Sequence, residues 1–389
     1  MKDTIRLVFL SLCVLLLVSC NGAGGGSTAK GDSASAEEIL IGEYGSLTGE
    51  DATFGASTKN GIDIAVDEIN AAGGLLGRKV RVIVEDDQGK AEEAQTVVTK
   101  LITKDKVVAV LGEVASSRSL AAAPVAQQYS VPMISPSSTN VEVTRKGDYV
   151  FRVCFLDPFQ GFVMAKFATN TLKFTKVAIL RDIKSDYSVG LANAFIENFK
   201  KMGGTIVGDE SYSAGDTDFN AQLTSLKAKG PQAIFVPGYY TGVGLIARQA
   251  KKQGIMAPLL GGDGWDSPKL TEIGGAALDG SFFTNHYSVD DPSPEAKKFL
   301  AAYKARFNTV PDALGGLAYD SAMVLFEAIK RAGSTDGKKI RDEIARTKDH
   351  PGVTGKITLD AERNANKPAV VLEIKDGKFV YRETISPES

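Results

Sequence analysis

Short apolar segments alternate with longer amphipathic segments along most of this chain. Residues 39–44 and 79–85 are rich in aliphatic and β-branched side chains, which is typical of buried strands. Residues 55–71 and 91–104 carry apolar side chains at helical spacing, and residues 107–111 form a further apolar strand. Buried strands that alternate with amphipathic helices predict an α/β fold, in which parallel sheets are covered by helices on both faces.

The same order of elements returns in the second half of the chain. The predicted strands and helices of this half are at 177–180, 189–201, 205–207, 219–229 and 233–236. In both halves a helix is followed by a glycine pair and a strand, at Gly73-Gly74 and at Gly203-Gly204. Glycine accepts the left-handed conformation that often ends a helix, which explains both pairs. The repeat predicts two Rossmann-like lobes, and the cleft between two such lobes is a common place for a small-molecule site.

The N-terminal segment differs from the rest of the chain. Two basic residues precede an apolar run at 7–18, which has the anatomy of a secretory signal and is too short to span a bilayer. The run ends in Leu17-Val18-Ser19-Cys20, which resembles the lipobox of bacterial lipoproteins. We expect a signal peptide at 1–19, lipid attachment at Cys20 and a flexible tether at 20–37. The protein would then be exported and held at a membrane, in the periplasm or at the cell surface. A plain signal peptide with a chance cysteine is the alternative.

Composition narrows the possible functions. Hydrophobic residues make up 43% and charged residues 24% of the chain, as in ordinary globular proteins, and the formal net charge is −2. A nucleic-acid partner would need a concentrated basic face, so none is expected. His286 and His350 have no partner at metal-ligand spacing, which argues against zinc sites and histidine-dependent catalysis. We predict no metal, no cofactor and no enzyme activity. Cys154 lies in an apolar run and is expected to be a buried, unreactive thiol.

Polar and aromatic residues follow the carboxyl ends of the predicted strands, where open parallel sheets bind ligands. In chain order they are Ser116 and Ser117 at a helix start, Ser137 and Thr139 in a hydroxyl-rich turn, Tyr187, Tyr239 and Asp263. A helix N-terminus with serine hydroxyls can bind a carboxylate, and a buried carboxylate such as Asp263 is the partner that an ammonium group needs. Tyrosines in a cleft supply apolar contact and a hydroxyl. Each segment taken alone also fits an ordinary helix cap or turn.

These residues and their order resemble the type I periplasmic binding proteins, in particular the leucine/isoleucine/valine-binding branch that serves ABC importers. The matching motifs are Gly45-Ser46-Leu47-Thr48-Gly49, Phe54-Gly55, Asn60-Gly61, AVDEINAAGG at 65–74, Ser116-Ser117, Ile134-Ser135-Pro136-Ser137-Ser138-Thr139, Tyr187, Gly238-Tyr239 and Ala318-Tyr319-Asp320-Ser321. They are numerous, well separated and in the right order. The resemblance covers the chain from Glu38 to its C-terminus.

The resemblance implies two lobes joined by a three-strand hinge. The first lobe would comprise 38–155 and 286–354, and the second would comprise 156–285 and 355–389. The three crossings between the lobes are expected near 152–155, 283–287 and 353–356. One lobe would hold the ligand while the cleft is open, and the other would close over it.

The resemblance also implies a set of ligand-binding residues. They are Phe54, Ser116, Ser117, Ser137, Thr139, Tyr187, Tyr239 and Asp263. The helix start would hold the ligand's carboxylate, the hydroxyl-rich turn would contact both charged groups, and the three aromatic residues would line the cleft. Asp263 stands where the family has a glutamate that binds the ammonium group, so its carboxylate lies one methylene further back. Arg118 and Leu314 stand where smaller polar and larger aromatic groups occur, which leaves the side-chain preference open.

The function implied is the capture of a branched-chain or other aliphatic amino acid for an ABC importer. The partners would be permease subunits, and the protein would be a monomer. A tethered ligand sensor is one alternative, and a different small carboxylate or an amide as ligand is another. Arg118, if it points into the cleft, would favour a ligand with extra negative charge.

A dinucleotide-binding enzyme is the remaining alternative. It rests on Gly242-Val243-Gly244-Leu245-Ile246-Ala247, which matches G-x-G-x-x-A, with Asp263 about 20 residues further on. The motif comes late in its repeat unit and after a long turn. Because the dinucleotide fingerprint normally occupies the first turn between strand and helix, the position of this motif argues against such an enzyme.

Overall fold

The computed structural model describes residues 38–387, and the predicted signal peptide, Cys20 and the tether lie outside them. The first lobe is built from alternating strands and helices. In chain order these are β1 (Ile39–Gly45), α1 (Ala52–Ala71), β2 (Val80–Asp86), α2 (Ala91–Thr103), β3 (Ala109–Leu111), α3 (Ser116–Tyr129), β4 (Met133–Ser135), α4 (Glu142–Arg145) and β5 (Val150–Arg152). The strands form a parallel sheet in the order β2-β1-β3-β4-β5.

The second lobe begins shortly after β5. Its elements are α5 (Asp157–Lys166), β6 (Lys176–Asp182), α6 (Asp186–Lys201), β7 (Thr205–Tyr212), α7 (Asn220–Ala228), β8 (Ala233–Phe235), α8 (Tyr240–Lys252), β9 (Leu259–Gly261), α9 (Pro268–Gly274) and β10 (Phe282–Asn285). A turn of π-helix extends α5, and short 3₁₀-helices follow β9 and α9, at Phe167–Thr171, Asp263–Trp265 and Gly275–Ala277. These five strands are parallel in the order β10-β9-β8-β6-β7.

The chain then returns to the first lobe before it ends in the second. The returning elements are α10 (Pro294–Phe307), α11 (Ala313–Ala332), α12 (Gly337–Ala345) and a hairpin of β11 (His350–Gly352) and β12 (Gly355–Ile357). The last two strands are β13 (Ala369–Lys375) and β14 (Lys378–Ile385). They join the second sheet in antiparallel orientation, and the complete order is β14-β13-β10-β9-β8-β6-β7.

The predicted architecture of two α/β lobes is confirmed. In the first lobe, one face of the sheet packs against α1 and α11 and the other against α2 and α3. Gly73 and Gly203, which follow α1 and α6, have φ angles of 102° and 86°, as the repeated glycine pairs predicted. Cys154 is buried, and burial raises the pKa of its thiol to about 12, which fits an unreactive side chain. Within residues 38–387, no helix combines the length and the apolar content that crossing a membrane requires.

Two boundaries predicted from the sequence are corrected by the structure. β7 continues to Tyr212 instead of ending at residue 207, and its polar second half is tolerated because β7 is an edge strand. The third crossing is predicted near 353–356, yet residues up to Ala365 pack in the core of the first lobe and Ala369 packs in that of the second. The carboxylate of Asp320 on α11 accepts a hydrogen bond of 2.7 Å from the backbone N–H of Val353, which holds the hairpin on the first lobe.

One carboxyl group in the core of the first lobe makes stability dependent on pH. Glu43 lies on the interior strand β1, and its Oε2 has no hydrogen-bond partner within the described part of the chain. Burial raises the pKa of Glu43 to about 8. The folded protein therefore keeps this proton up to about pH 8, whereas the unfolded chain releases it near the group's ordinary pKa of about 4.3. The folded state binds more protons in that window, so this group's contribution to stability is lost as pH rises through it.

Replacing Glu43 with glutamine keeps the shape of the side chain and removes the titration. We expect Glu43→Gln to raise the free energy of unfolding by about 2 kcal/mol or more near pH 8, and to change it little near pH 4. Urea unfolding at both pH values measures the difference. Glu142→Gln serves as the control, because the Glu142 side chain is 53% exposed. Equal stability of wild type and Glu43→Gln near pH 8 would contradict the expectation.

Candidate functional site

A small cavity lies between the two lobes, at the carboxyl ends of the parallel strands. It is lined by Val114, Ser137 and Leu314 from the first lobe and by Tyr187, Tyr239, Asp263 and Gly264 from the second. Four of the eight ligand-binding residues predicted from the sequence are therefore brought together around one space. Ligands of open parallel sheets bind at this end of the strands, and a site with walls from both lobes can respond to closure.

Asp263 is held firmly at the wall of this cavity. It begins the short helix after β9 and is only 4% exposed. The Nε2 of Gln160 donates to its Oδ1 at 2.9 Å, and the Oε1 of the same side chain accepts its backbone N–H at 3.0 Å. Its Oδ2 accepts from the hydroxyl of Ser137 at 3.3 Å and lies 2.9 Å from the Nε2 of His286. The side chains of Gln160, Ser137 and His286 thus fix the orientation of one buried carboxylate.

Gln160 and His286 are not among the residues that the sequence predicted for this site. Gln160 lies one turn into α5, directly after the first crossing between the lobes, and His286 follows β10 within the predicted crossing 283–287. Their sequence distances from Asp263 are 103 and 23 positions. The sequence signal that could have identified them is a polar residue close to a predicted crossing: Gln160 lies one turn into a helix, and His286 lies just after a strand.

The glycines around Asp263 let the chain pass very close to its neighbours. A Cβ atom at Gly262 would lie 2.2 Å from the Oε1 of Gln160 and 2.5 Å from the hydroxyl of Tyr187. A Cβ atom at Gly264 would lie 2.8 Å from the carbonyl oxygen of Gly238. Any larger residue at either position would displace the groups that orient Asp263.

Aromatic rings from both lobes form the apolar side of the cleft. Tyr187 and Tyr239 are stacked with their ring centroids 5.3 Å apart, and Phe54 of the first lobe meets Tyr239 edge-on at 5.5 Å. The hydroxyl of Tyr187 accepts the backbone N–H of Gly264 at 3.1 Å. Burial raises the pKa of Tyr187 well above its ordinary value, so the group stays neutral. Phe54 is fully buried and does not line the small cavity itself.

The remaining predicted residues lie at the start of α3 and in the turn after β4. The hydroxyl of Ser116 accepts the backbone N–H of Asn140 at 3.2 Å. The hydroxyl of Ser117 accepts the backbone N–H of Asp186 at 3.0 Å, which joins the starts of α3 and α6 across the cleft. Thr139 is buried, and within the described residues its hydroxyl oxygen has no hydrogen-bond partner. These three residues do not line the small cavity, although Ser117 lines a wider opening at the mouth of the cleft.

Asp157 is a second buried carboxyl group close to this turn. Its backbone N–H donates to the carbonyl oxygen of Thr139 at 3.0 Å. Both of its carboxyl oxygens are without a hydrogen-bond partner in the described part of the chain, and burial raises its pKa to about 8. At neutral pH Asp157 is therefore mostly protonated and adds little negative charge to the cleft.

Arg118 does not offer a free charge to a ligand. Its guanidinium group pairs with Asp51 and lies 3.5 Å from the carboxylate of Glu113, and it donates to the hydroxyl of Ser46 at 2.8 Å. The same group lies 6.0 Å from the ring centroid of Tyr239. Because the positive charge is already paired, the expectation of a ligand with extra negative charge loses its support.

The glycine motif of the enzyme alternative lies inside a helix. The segment 242–247 is part of α8, which begins at Tyr240. A dinucleotide fingerprint needs its first glycines in the turn before the helix, where backbone N–H groups face the phosphates. A Cβ atom at Gly244 would lie 2.7 Å from the Ile273 side chain, so this glycine allows close packing of α8 against α9. The motif has a packing role.

The two lobes touch each other through polar contacts near the cavity. The hydroxyls of Thr53 and Ser267 lie 2.9 Å apart across the cleft. The carboxylate of Asp266 in the second lobe accepts the backbone N–H of Ala313, the first residue of α11 in the first lobe, at 2.7 Å. Polar contacts of this kind can hold the closed arrangement and can be exchanged for water when the lobes separate.

Comparisons with known proteins agree with this architecture. A model of the periplasmic binding protein family matches residues 38–378. The Leu/Ile/Val-binding protein homolog 3 of Brucella melitensis is 33% identical over 354 residues, which are 90% of this chain and 95% of the relative.

Two solved structures share the fold and much of the sequence. The leucine binding protein LivK from Thermotoga maritima is 42% identical, with a TM-score of 0.87 over 90% of this chain and 99% of that one. The branched-chain amino acid substrate binding protein LivJ from Streptococcus pneumoniae, solved in complex with isoleucine, is 39% identical, with a TM-score of 0.86 over 90% of this chain and all of that one. The chain belongs to the periplasmic binding protein family, as a type I solute-binding protein of two α/β lobes and not an enzyme.

Proposed function

We propose that this protein captures a branched-chain or other aliphatic amino acid in the cleft between its lobes and delivers it to an ABC importer. The observation that carries the proposal is the buried carboxylate of Asp263, which lines a cavity whose other walls are mostly apolar and aromatic. A carboxylate in such surroundings needs a cationic partner, and an α-ammonium group supplies one. The similarity to a binding protein solved with isoleucine supports the same ligand class.

The charged groups of the ligand would be held from both lobes. The ammonium group would bind the Oδ2 of Asp263 and the hydroxyl of Ser137, which lie 3.3 Å apart. The carboxylate would bind at the start of α3, where Ser116 and Ser117 offer N–H and hydroxyl groups, with the unpartnered hydroxyl of Thr139 nearby. Gln160 and His286 would hold the Asp263 carboxylate in place beside the ammonium group.

The aliphatic side chain of the ligand would pack against apolar groups of both lobes. Val114 and Leu314 come from the first lobe and Tyr239 from the second. A ligand that touches both lobes binds the closed form more tightly than the open form, and this difference in affinity is what shifts the equilibrium toward closure. No bond of the ligand is made or broken.

The same proposal includes the location of the protein and its partners. Lipid attachment at Cys20 and the tether 20–37 would hold an exported monomer at a membrane, in the periplasm or at the cell surface. The partners would be the permease subunits of the importer. A protein that only captures and releases a solute needs no cofactor.

A titration panel tests the ligand class. Isothermal titration calorimetry with leucine, isoleucine, valine, alanine, phenylalanine and benzoate is expected to give the tightest binding for the three branched amino acids. Alanine lacks two or three of their side-chain carbons and should bind more weakly by at least about 2 kcal/mol, because each methylene lost from an apolar pocket costs about 1–3 kcal/mol. Binding of carboxylic acids that lack an amine, without binding of any amino acid, would contradict the proposal.

A further inference from the structure

His286 lies at a crossing between the lobes and contacts the carboxylate of Asp263, which lines the cavity. It directly follows β10 of the second lobe, and the next residue, Tyr287, packs in the core of the first lobe. Its ring is buried and is stacked on Phe155, with ring centroids 3.9 Å apart and planes at 21°. Phe155 lies next to the first crossing. His286 is therefore fixed by two hinge segments and points at the carboxylate of the cleft.

The contacts of the imidazole define its hydrogen-bonding state. Nε2 lies 2.9 Å from the Oδ2 of Asp263 and 3.5 Å from the hydroxyl oxygen of Ser137. Because the carboxylate can only accept, Nε2 carries the hydrogen. Nδ1 has no hydrogen-bond partner among the residues that the structure describes. A buried ring with one satisfied N–H and one free nitrogen is the neutral form of histidine.

We propose that His286 is a positioning residue for ammonium recognition: its neutral Nε2–H holds Asp263 toward the ligand, and its imidazolium form competes with the ammonium group for the same carboxylate. This inference rests on the proposed function, since it takes Asp263 as the acceptor of the ligand's amine. It adds that a residue at a crossing between the lobes, His286, affects how tightly the ligand's amine is bound. Binding of an amino acid would then require His286 to be neutral and would become weaker in acid.

The groups that face His286 set the direction of its titration. Burial lowers the pKa of His286 below its ordinary value, Asp263 opposes this shift, and Lys367, just before β13, adds to it. Cys154 on the first crossing and Asp157 on α5 are titratable groups that interact electrostatically with the same Asp263. Burial raises their pKa values to about 12 and about 8, so both are mostly uncharged at neutral pH.

The sign of the pH dependence follows from these charges. His286 is neutral near pH 7, and an ammonium group at Asp263 places a second cation beside the ring. The pKa of His286 is therefore lower in the complex than in the free protein. Between the pKa of the complex and that of the free protein, each binding event releases up to one proton, and Kd rises by up to about tenfold for each pH unit. Above it, affinity does not depend on His286.

His286→Gln separates this role from a purely structural one. The glutamine amide can donate to Asp263 as Nε2–H does, and it does not titrate. For calorimetric titration of L-leucine between about pH 7.5 and pH 4.5, we expect the wild-type Kd to rise by up to about tenfold per unit once the pH falls below the pKa of His286 in the free protein. The Kd of His286→Gln should lack this rise, whatever its value at pH 7.5. His350→Gln, which changes the other histidine of the chain, should keep the wild-type dependence.

A second measurement needs no variant. With two histidines in the sequence, the ¹⁵N ring resonances of the wild-type protein give two titration curves, and added leucine should shift only the His286 curve to lower pH. A dependence as steep in His286→Gln as in wild type, or a His286 titration that leucine leaves unchanged, would overturn the inference while leaving the proposed function intact. Failure of the wild-type protein to bind leucine at pH 7.5 would overturn both.

Discussion

Replacing Arg118 with alanine is expected to lower the free energy of unfolding by about 3–5 kcal/mol, the range for removing one partner of a buried ion pair. The Arg118 side chain is only 9% exposed and pairs with Asp51 and Glu113, whose side chains are 10% and 0% exposed. Without the guanidinium group, the buried carboxylate of Asp51 loses the cation that compensates for its removal from water. Glu113, whose pKa burial raises to about 8, loses a neighbouring hydrogen-bond donor. The hydroxyl of Ser46 also loses its donor.

An exposed ion pair provides the matched control for this substitution. Arg145 and Glu142 on α4 lie 2.8 Å apart, with side chains 56% and 53% exposed. Arg145→Ala should change stability by no more than about 0.5 kcal/mol, because water replaces the lost partner. Urea unfolding of both variants near pH 7 gives the comparison. A change of less than about 1 kcal/mol for Arg118→Ala would mean that the buried cluster contributes little to folding.

The architecture of the protein could be predicted from local sequence patterns. Strands and helices alternate with the expected periodicities, and Gly73 and Gly203, the first glycines after α1 and α6, have the positive φ angles that explain their placement. The third crossing could not be predicted in the same way. Its position is decided by tertiary packing, since Ala365 still packs in the core of the first lobe and Ala369 packs in that of the second.

The candidate site could also be predicted only in part. Ligands bind at the carboxyl ends of parallel strands, and this rule predicted four residues that line one cavity in the structure: Ser137, Tyr187, Tyr239 and Asp263. The contacts of Gln160 and His286 behind Asp263 could not be predicted, because they join segments 103 and 23 positions apart that meet only when the second lobe is folded. The direction of Arg118 could not be predicted either, since the nearby Asp51 and Glu113 decide it.

Replacing Asp263 with alanine is expected to weaken the binding of L-leucine by about 2–5 kcal/mol, as for other truncations of one partner in a buried charge pair. The loss has two parts: the ammonium group loses its carboxylate, and Gln160 and His286 lose the acceptor that they share. Asp263→Asn keeps the shape of the side chain and removes only its charge. Asp209→Asn is the control, because Asp209 pairs with Arg181 on the second lobe away from the cavity and should leave binding unchanged.

The most direct measurement compares two ligands on two proteins. 4-Methylpentanoic acid is leucine without its amine, so the difference between its affinity and that of L-leucine isolates the ammonium group. By isothermal titration calorimetry, we expect wild type to prefer leucine by about a hundredfold or more, and Asp263→Asn to lose most of that preference while its weak affinity for the acid stays the same. Equal affinity of wild type for both ligands, or an undiminished preference for leucine in Asp263→Asn, would contradict the assignment of Asp263 as the acceptor of the ligand's amine.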